Sequence, residues 1–145
     1  MKWKIIVVGK PALGFAKLGV EEYLTRLKRY ARVELVILKD GKREDVAERM
    51  LEASRGCRRL VLDERGDCPT TADLKERVDS WEGAAVKEVA LLVGPADGHL
   101  ERVREEADYA WALGRATLQH ELALVVALEQ LYRVYTVKRG EPYHR

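Results

Sequence analysis

The chain has 145 residues, of which 47% are hydrophobic and 34% charged, and its formal net charge is +2. This length suits one domain with a substantial core, and the composition excludes a disordered chain. The low net charge excludes a strongly basic protein that coats nucleic acid, although a local cluster of cations can still bind phosphates. Residues 138–145 contain such a cluster, with four basic or histidine side chains and one acid, Glu141.

Nothing in the sequence indicates export or a membrane segment. Residues 1–9 are typical of a strand, without the apolar region and small-residue cleavage site of a signal peptide. The longest apolar run in the last helix, 122–128, is far shorter than the ~18 residues that a membrane helix needs. We therefore expect a cytoplasmic protein without a membrane or metal partner. Cys57 and Cys68 are expected as free thiols, and a disulfide between them is the alternative.

Apolar, β-branched segments alternate with helical ones along the chain. The strands are predicted at 3–8, 33–38, 59–62, 88–93 and 109–113, with a polar loop at 63–69. The helices are predicted at 15–30, 45–54, 70–81, 100–107 and 122–137, and Thr70 or Thr71 caps the third of them. This alternation predicts a single α/β domain over 1–145, with a mostly parallel sheet and helices on both faces.

The last predicted helix, 122–137, is apolar on nearly every face. A helix that is apolar all round must be covered all round, and one small sheet covers only one side. We therefore predict a homodimer with this helix in the interface. A helix that is fully internal to one chain is the alternative.

Glycine-bearing bends follow the predicted strands. Gly9 and Gly14 have the spacing of a phosphate-binding P-loop, but Phe15 and Ala16 stand where the motif requires Lys and Ser or Thr. The loop GPADG at 94–98 follows the fourth strand, and LGRATL at 113–118 follows the fifth. Ligands bind beyond the carboxyl ends of parallel strands, so the loops after 62, 93 and 113 are the candidate site. An ordinary strand-to-helix turn is the alternative for 94–98.

Short motifs in a fixed order carry a resemblance over the whole chain. They are IIVVGK at 5–10, EYL at 22–24, GKR at 41–43, VLD at 61–63, LLVG at 91–94, EQLYR at 129–133 and, most specific, PYHR at 142–145. The chain resembles the RlmH family of bacterial 23S ribosomal RNA pseudouridine-N3 methyltransferases, which belong to the SPOUT superfamily. The resemblance implies S-adenosyl-L-methionine as cofactor, 23S rRNA in the ribosome as partner, a homodimer, and a C-terminal trefoil knot.

The resemblance also implies the site residues. Those expected to bind the cofactor are Leu62, Gly94, Leu113, Gly114, Arg115, Ala116, Thr117 and Leu118. Those expected in catalysis are His120, Arg133, Tyr143, His144 and Arg145. Two positions depart from the family pattern, because Pro95 replaces a glycine and Gln119 replaces a proline. Pro95 lacks an N–H group, so the change bears on cofactor affinity.

Each catalytic assignment has an alternative. His120 is a candidate base for the N3 proton, or it packs against or caps the last helix. Arg133 contacts RNA or a developing negative charge, or it pairs with Glu129 one turn back. The last three residues suit a flipped-out base and its phosphate, or they are a frayed terminus. A non-catalytic RNA-binding module and a transfer-RNA methyltransferase are the rival functions.

Overall fold

The computed structural model describes residues 1–145, in which five strands alternate with five helices. The strands are β1 (Lys2–Val8), β2 (Arg32–Leu38), β3 (Arg58–Asp67), β4 (Glu88–Val93) and β5 (Tyr109–Trp111). The helices are α1 (Gly14–Leu27), α2 (Arg43–Ala53), α3 (Thr71–Gly83), α4 (Glu101–Glu105) and α5 (His120–Lys138). None of these helices has the length and apolarity needed to cross a bilayer.

The five strands form one sheet in the order β2-β1-β4-β3-β5, and all four pairings are parallel. The central strand β4 reads EVALLV and is buried from Val89 to Val93. Such a continuous apolar run is expected of a strand that is covered on both faces. The predicted α/β fold with a parallel sheet is confirmed.

The core lies on both faces of this sheet. Ile5 and Leu91 belong to the larger cluster, which is shared with α1, α3 and α5. Their neighbours Ile6 and Leu92 point to the opposite face, as strand geometry requires, and join the cluster that includes Met50 of α2. Helices therefore cover both faces, as predicted.

The N-terminus of α3 shows how local sequence sets an element boundary. Thr70 accepts a hydrogen bond on its hydroxyl from the Asp73 N–H group (3.1 Å), and the Asp73 carboxylate accepts one from the Thr70 N–H group (2.9 Å). This reciprocal capping box begins the helix at Thr71. It confirms the cap predicted at this position.

The end of β3 differs from its prediction. The strand continues to Asp67 instead of ending at 62, so the segment predicted as a polar loop is largely strand. Trp111 pairs with both Leu62 and Asp67, which leaves 63–66 as a bulge in the ladder. The bulge returns through Gly66, where a Cβ atom would lie 2.4 Å from the Ala110 carbonyl oxygen. Only glycine allows this approach. The segment is predicted as a loop because its residues are polar.

The helix α5 is covered largely from within the chain, because it lies against both α1 and α3. Gly19 makes the close approach of α1 possible, since a Cβ atom there would lie 2.9 Å from Cγ1 of Val125. The first turn of α5 is the exception, and Leu122 is 37% exposed there. Only the start of the helix therefore leaves an apolar surface for a second chain to cover. The homodimer and the trefoil knot stay predictions.

Candidate functional site

A cleft of about 200 Å³ lies at the carboxyl edge of the sheet, where the segments after β3, β4 and β5 meet. Seven of the eight residues expected to bind the cofactor line it: Leu62, Gly94, Leu113, Gly114, Ala116, Thr117 and Leu118. The eighth, Arg115, is exposed and is not among the lining residues. The three strand-end loops therefore line one cleft, as predicted.

The bulge in β3 supplies one wall of the cleft. The Thr117 hydroxyl donates a hydrogen bond of 2.5 Å to the Glu64 carboxylate, which ties the bulge to the loop after β5. The neighbouring Asp63 is only 6% exposed at its side chain and lies 3.6 Å from Nε of Arg65 and 3.8 Å from Nε of Arg104. Sequence reasoning missed both carboxylates, because it treated 63–69 as a loop with no site residue in it.

The loop after β4 supplies the second wall. A Cβ atom on Gly94 would lie 3.3 Å from backbone atoms of Gly98 and His99, so a larger residue would crowd this turn. The Gly98 N–H group donates to the Pro95 carbonyl oxygen (2.8 Å), and Gly98 has a φ of +79°. Pro95 thus takes part in the turn through its carbonyl group, and the turn does not use the N–H group that proline lacks.

His99 is a buried residue of the cleft that sequence reasoning also missed. Its side chain lines the cleft, the residue is 5% exposed, and its Nε2 atom lies 3.1 Å from the Leu92 carbonyl oxygen. Burial lowers the pKa of the His99 imidazole below its usual range, which favours the neutral ring. With Nε2 donating to Leu92, Nδ1 is an acceptor, and it has no hydrogen-bond partner.

The lining of the cleft carries more negative than positive charge. Asp63, Glu64 and Asp97 contribute carboxylates, whereas Arg65 is the one lysine or arginine of the lining. Arg65 and Arg104 offset the charge of Asp63, so Glu64 and Asp97 carry the negative charge that suits a positively charged ligand.

His120 lies at the rim of the cleft, as the first residue of α5, with its side chain 32% exposed. The Gln119 amide nitrogen is 3.2 Å from its Nδ1 atom, and a Glu121 carboxylate oxygen is 4.0 Å from its Nε2 atom. Gln119 also caps the helix, since its side-chain oxygen accepts hydrogen bonds from the N–H groups of Glu121 and Leu122. The capping alternative for His120 is therefore wrong, because Gln119 fills that role.

The remaining catalytic candidates gather around the end of α5. Arg133 donates to Oε1 of Glu129 from Nη2 (2.6 Å) and Nε (3.0 Å), so the pairing that was its alternative is formed. The guanidinium also lies 4.8 Å from the centre of the Tyr143 ring, and Nη1 is 3.2 Å from Nδ1 of His144. Tyr143 packs against the Tyr132 ring at 4.7 Å, so the tail is docked up to His144 and is not frayed there. Arg145 is exposed.

Comparison with known proteins identifies the family. A family model described as a predicted SPOUT methyltransferase matches residues 1–144. The chain belongs to this methyltransferase family. It is 50% identical over 145 residues to Ribosomal RNA large subunit methyltransferase H of Thermus thermophilus, covering 100% of this chain and 99% of the relative. It is 38% identical to the protein of the same name from Deinococcus deserti, over 100% of both chains.

A solved structure shows the same fold. The chain aligns with a probable methylase family protein from Haemophilus influenzae with a TM-score of 0.59 and 13% identity, over 99% of this chain and 70% of that one. This likeness concerns the fold alone, and the family membership rests on the sequence comparisons.

In this SPOUT methyltransferase the catalytic candidates form two separate groups. His120 is at the cleft, whereas Arg133 lies 13 residues further along the same helix. At 1.5 Å per residue the two are roughly 20 Å apart along the helix axis. The tail docks beside Arg133 on the same protomer. One chain in this conformation therefore does not bring the five residues to one point.

Proposed function

We propose that this chain is an S-adenosyl-L-methionine-dependent methyltransferase that methylates N3 of a pseudouridine in 23S rRNA of the assembled ribosome. Full-length identity of 50% to a protein named Ribosomal RNA large subunit methyltransferase H supports the rRNA substrate. The cleft formed by the three strand-end segments is the observation that carries the enzymatic interpretation. Because bacterial ribosomes are cytoplasmic, the proposal places the protein there.

The cleft residues fit the proposed cofactor. Leu62, Leu113 and Leu118 offer the apolar surface that an adenine ring needs, and Gly94 lets the backbone come close. The excess of carboxylates suits a sulfonium cation. When bound, the cofactor supplies an already activated methyl group, so the protein has to position the reactants and exclude water.

His120 is the residue we place closest to the proton transfer. The N3 atom carries a proton that must leave as the new bond forms, and a neutral imidazole at hydrogen-bond distance can accept it. The side chain stands at the rim of the cleft, with the Gln119 amide nitrogen 3.2 Å from Nδ1 and a Glu121 carboxylate oxygen 4.0 Å from Nε2. Glu121 is itself fixed, because it accepts hydrogen bonds from the N–H groups of Ala12 (2.6 Å) and Leu13 (3.0 Å).

A homodimer would bring the two groups of catalytic candidates together. The starts of α1 and α5 and the segments just before them expose Leu13, Phe15, Leu18, Leu118 and Leu122, with Leu18 71% exposed. A second copy is the occupant that we propose for this apolar surface. In an isologous interface, a contact between two different surfaces occurs twice, once from each protomer. We propose that such a contact brings the tail of one protomer to the cleft of the other.

Complementation between two inactive variants tests this arrangement. One variant lacks residues 143–145, and the other carries His120→Ala. If the tail acts on the partner's cleft, a random mixture of refolded or co-expressed chains recovers roughly a quarter of wild-type activity, because half the dimers are mixed and each has one intact site. A mixture that stays inactive while forming dimers would show that cleft and tail act within one chain.

The reaction itself is tested on cellular RNA. In a strain that lacks the gene, mass spectrometry of 23S rRNA should show one pseudouridine without its methyl group, and the wild-type gene should restore it. Loss of a methyl group from transfer RNA instead would favour the rival superfamily activity. A purified protein that gives no heat with S-adenosyl-L-methionine in calorimetry would be a binding module and not an enzyme.

A further inference from the structure

A second and larger cavity lies at the opposite edge of the sheet. This groove, of about 900 Å³, is formed where β1, β2 and β4 begin and where α5 ends. Its lining includes Lys2, Arg32, Lys87, Lys138 and Arg139. Strand β1 separates it from the cleft by seven residues, or about 20 Å at the rise of a parallel strand. The groove is therefore no part of the site described above.

The groove concentrates the positive charge of the chain. Its lining holds five lysine or arginine side chains against two carboxylates, Glu82 and Glu88. The lining therefore has an excess of three positive charges, part of which is offset by carboxylates just outside it. The remaining excess attracts an anionic partner to this edge.

Not all of these cations are committed to internal partners. Lys2 pairs with Glu34 at 2.7 Å, and Lys138 pairs with Asp79 and Glu82. Arg32 and Lys87 are exposed and take part in no ion pair. Their charges are free to meet an external anion.

The groove runs into the C-terminal tail. Arg139 lies over the Tyr30 ring, with its guanidinium carbon 5.0 Å from the ring centre. Tyr30 stacks on Tyr135 at an interplanar angle of 13°, and its hydroxyl donates a hydrogen bond of 2.5 Å to Glu141. The same ring thus joins the groove to the segment that leads to Tyr143. An anionic chain that reaches the tail would pass along these cations.

We propose that this groove binds the sugar–phosphate backbone of RNA, as a second contact to the substrate of the methylation proposed above, on which this inference rests. Free cations beside aromatic rings are the chemistry that holds a nucleic-acid backbone and its bases. An anionic membrane fits less well, because a membrane-binding surface also presents apolar side chains. The exposed large hydrophobic residues of this chain do not line the groove.

The test compares two double charge reversals. Arg32→Glu with Lys87→Glu alters the groove, and Arg55→Glu with Arg102→Glu makes the same change in net charge beside α2 and in α4. Binding to large ribosomal subunits is measured over a series of KCl concentrations. We expect the groove variant to bind about tenfold more weakly and its salt dependence to fall by about 1.4–1.8 in slope, for two lost phosphate contacts. The control variant should stay within about threefold of wild type.

Folding and cofactor binding are followed in the same samples. The milder pair Arg32→Gln with Lys87→Gln should lose part of the affinity and slope without adding negative charge, so a misfolded reversal variant does not decide the result. Groove and control variants that bind alike would overturn the inference. The inference would also be overturned, in favour of a membrane, if the wild type binds anionic vesicles and the charge reversal leaves binding to ribosomal subunits unchanged. Wild-type protein that binds neither subunits nor S-adenosyl-L-methionine would overturn the proposed function as well.

Discussion

The two edges of the sheet use the same strands for different chemistry. At the carboxyl edge, glycine loops and a strand bulge form a cleft with an excess of carboxylates. At the amino edge, the strands begin beside the end of α5, and the groove there has an excess of cations. One edge suits a cationic methyl donor and the other an anionic RNA backbone. On these two proposals, a near-neutral chain serves both ligands by separating its charges.

The proposed reaction requires the tail to act together with the carboxyl edge. It docks near the amino edge, by contacts of Tyr143 with Tyr132 and Glu129, whereas the methyl donor is proposed at the carboxyl edge. A change in the tail should therefore lower catalysis without affecting cofactor binding at the carboxyl edge. A change at the carboxyl edge should lower catalysis without affecting how the tail docks.

The largest effect is expected from deleting residues 143–145. Methylation of ribosomes should fall by more than about 100-fold, because a substrate that is no longer positioned loses most of its reactivity. The heat of S-adenosyl-L-methionine binding should stay that of the wild type, since none of residues 143–145 lines the cleft of its own chain. Arg55→Ala is the matched surface control. A truncated protein with full activity would remove the tail from the mechanism and leave the carboxyl edge as the whole site.

His120→Ala should slow methyl transfer by about 100-fold at neutral pH, the lower end for loss of a general base. Activity should partly recover as pH rises, because hydroxide or an ionised N3 atom replaces the missing base. Single-turnover rates between pH 6 and 9 check this expectation, with cofactor binding measured in parallel. Rates equal to the wild type at every pH would exclude a base role and would reduce His120 to a rim residue.

The regular part of the fold could be predicted because its causes are local. β1 and β4 are apolar runs between polar turns, and the alternation of strand and helix implies a parallel sheet. The bulge at 63–66 could not be predicted, because its polar residues look like a loop and its pairing partner, Trp111, is distant in sequence. Only the tertiary contact of Gly66 with Ala110 explains it.

The same distinction holds for the candidate site. The parallel topology predicts the strand-end segments, and helix spacing offers the pairing of Arg133 with Glu129 as one of two interpretations of that arginine. The unpartnered Nδ1 atom of His99 depends on burial, which no local pattern indicates. The docking of Tyr143 depends on a ring contact with Tyr132 across 11 residues of chain.

Gly66→Ala tests whether the bulge builds the carboxyl edge. The added methyl group would lie 2.4 Å from a backbone oxygen that cannot move without its strand, so we expect a loss of about 2 kcal/mol in the free energy of unfolding. Gly114→Ala is the control, because nothing lies within 4 Å of its Cβ position. Urea unfolding measures both variants. Equal stabilities would show that the bulge is free to shift and does not fix the wall of the cleft.

The smallest effect concerns the buried ring at the carboxyl edge and its response to acid. The His99 pKa is lowered in the folded protein by burial, so below a pH of about 6.5 the unfolded chain binds more protons at this residue than the folded one. The contribution of His99 to stability is therefore present above that pH and is lost as the pH falls.

His99→Leu should remove this loss and also the unpartnered Nδ1 atom. We expect the variant to equal the wild type within about 1 kcal/mol at pH 7 and to lose less stability between pH 7 and pH 5. Asp63 and Arg104 stay in place as the charged groups nearest to the ring. Urea unfolding measures the free energy of unfolding of both proteins across this range. If the two values fall in parallel as the pH falls, the His99 ring is protonated as readily in the folded protein as in the unfolded chain.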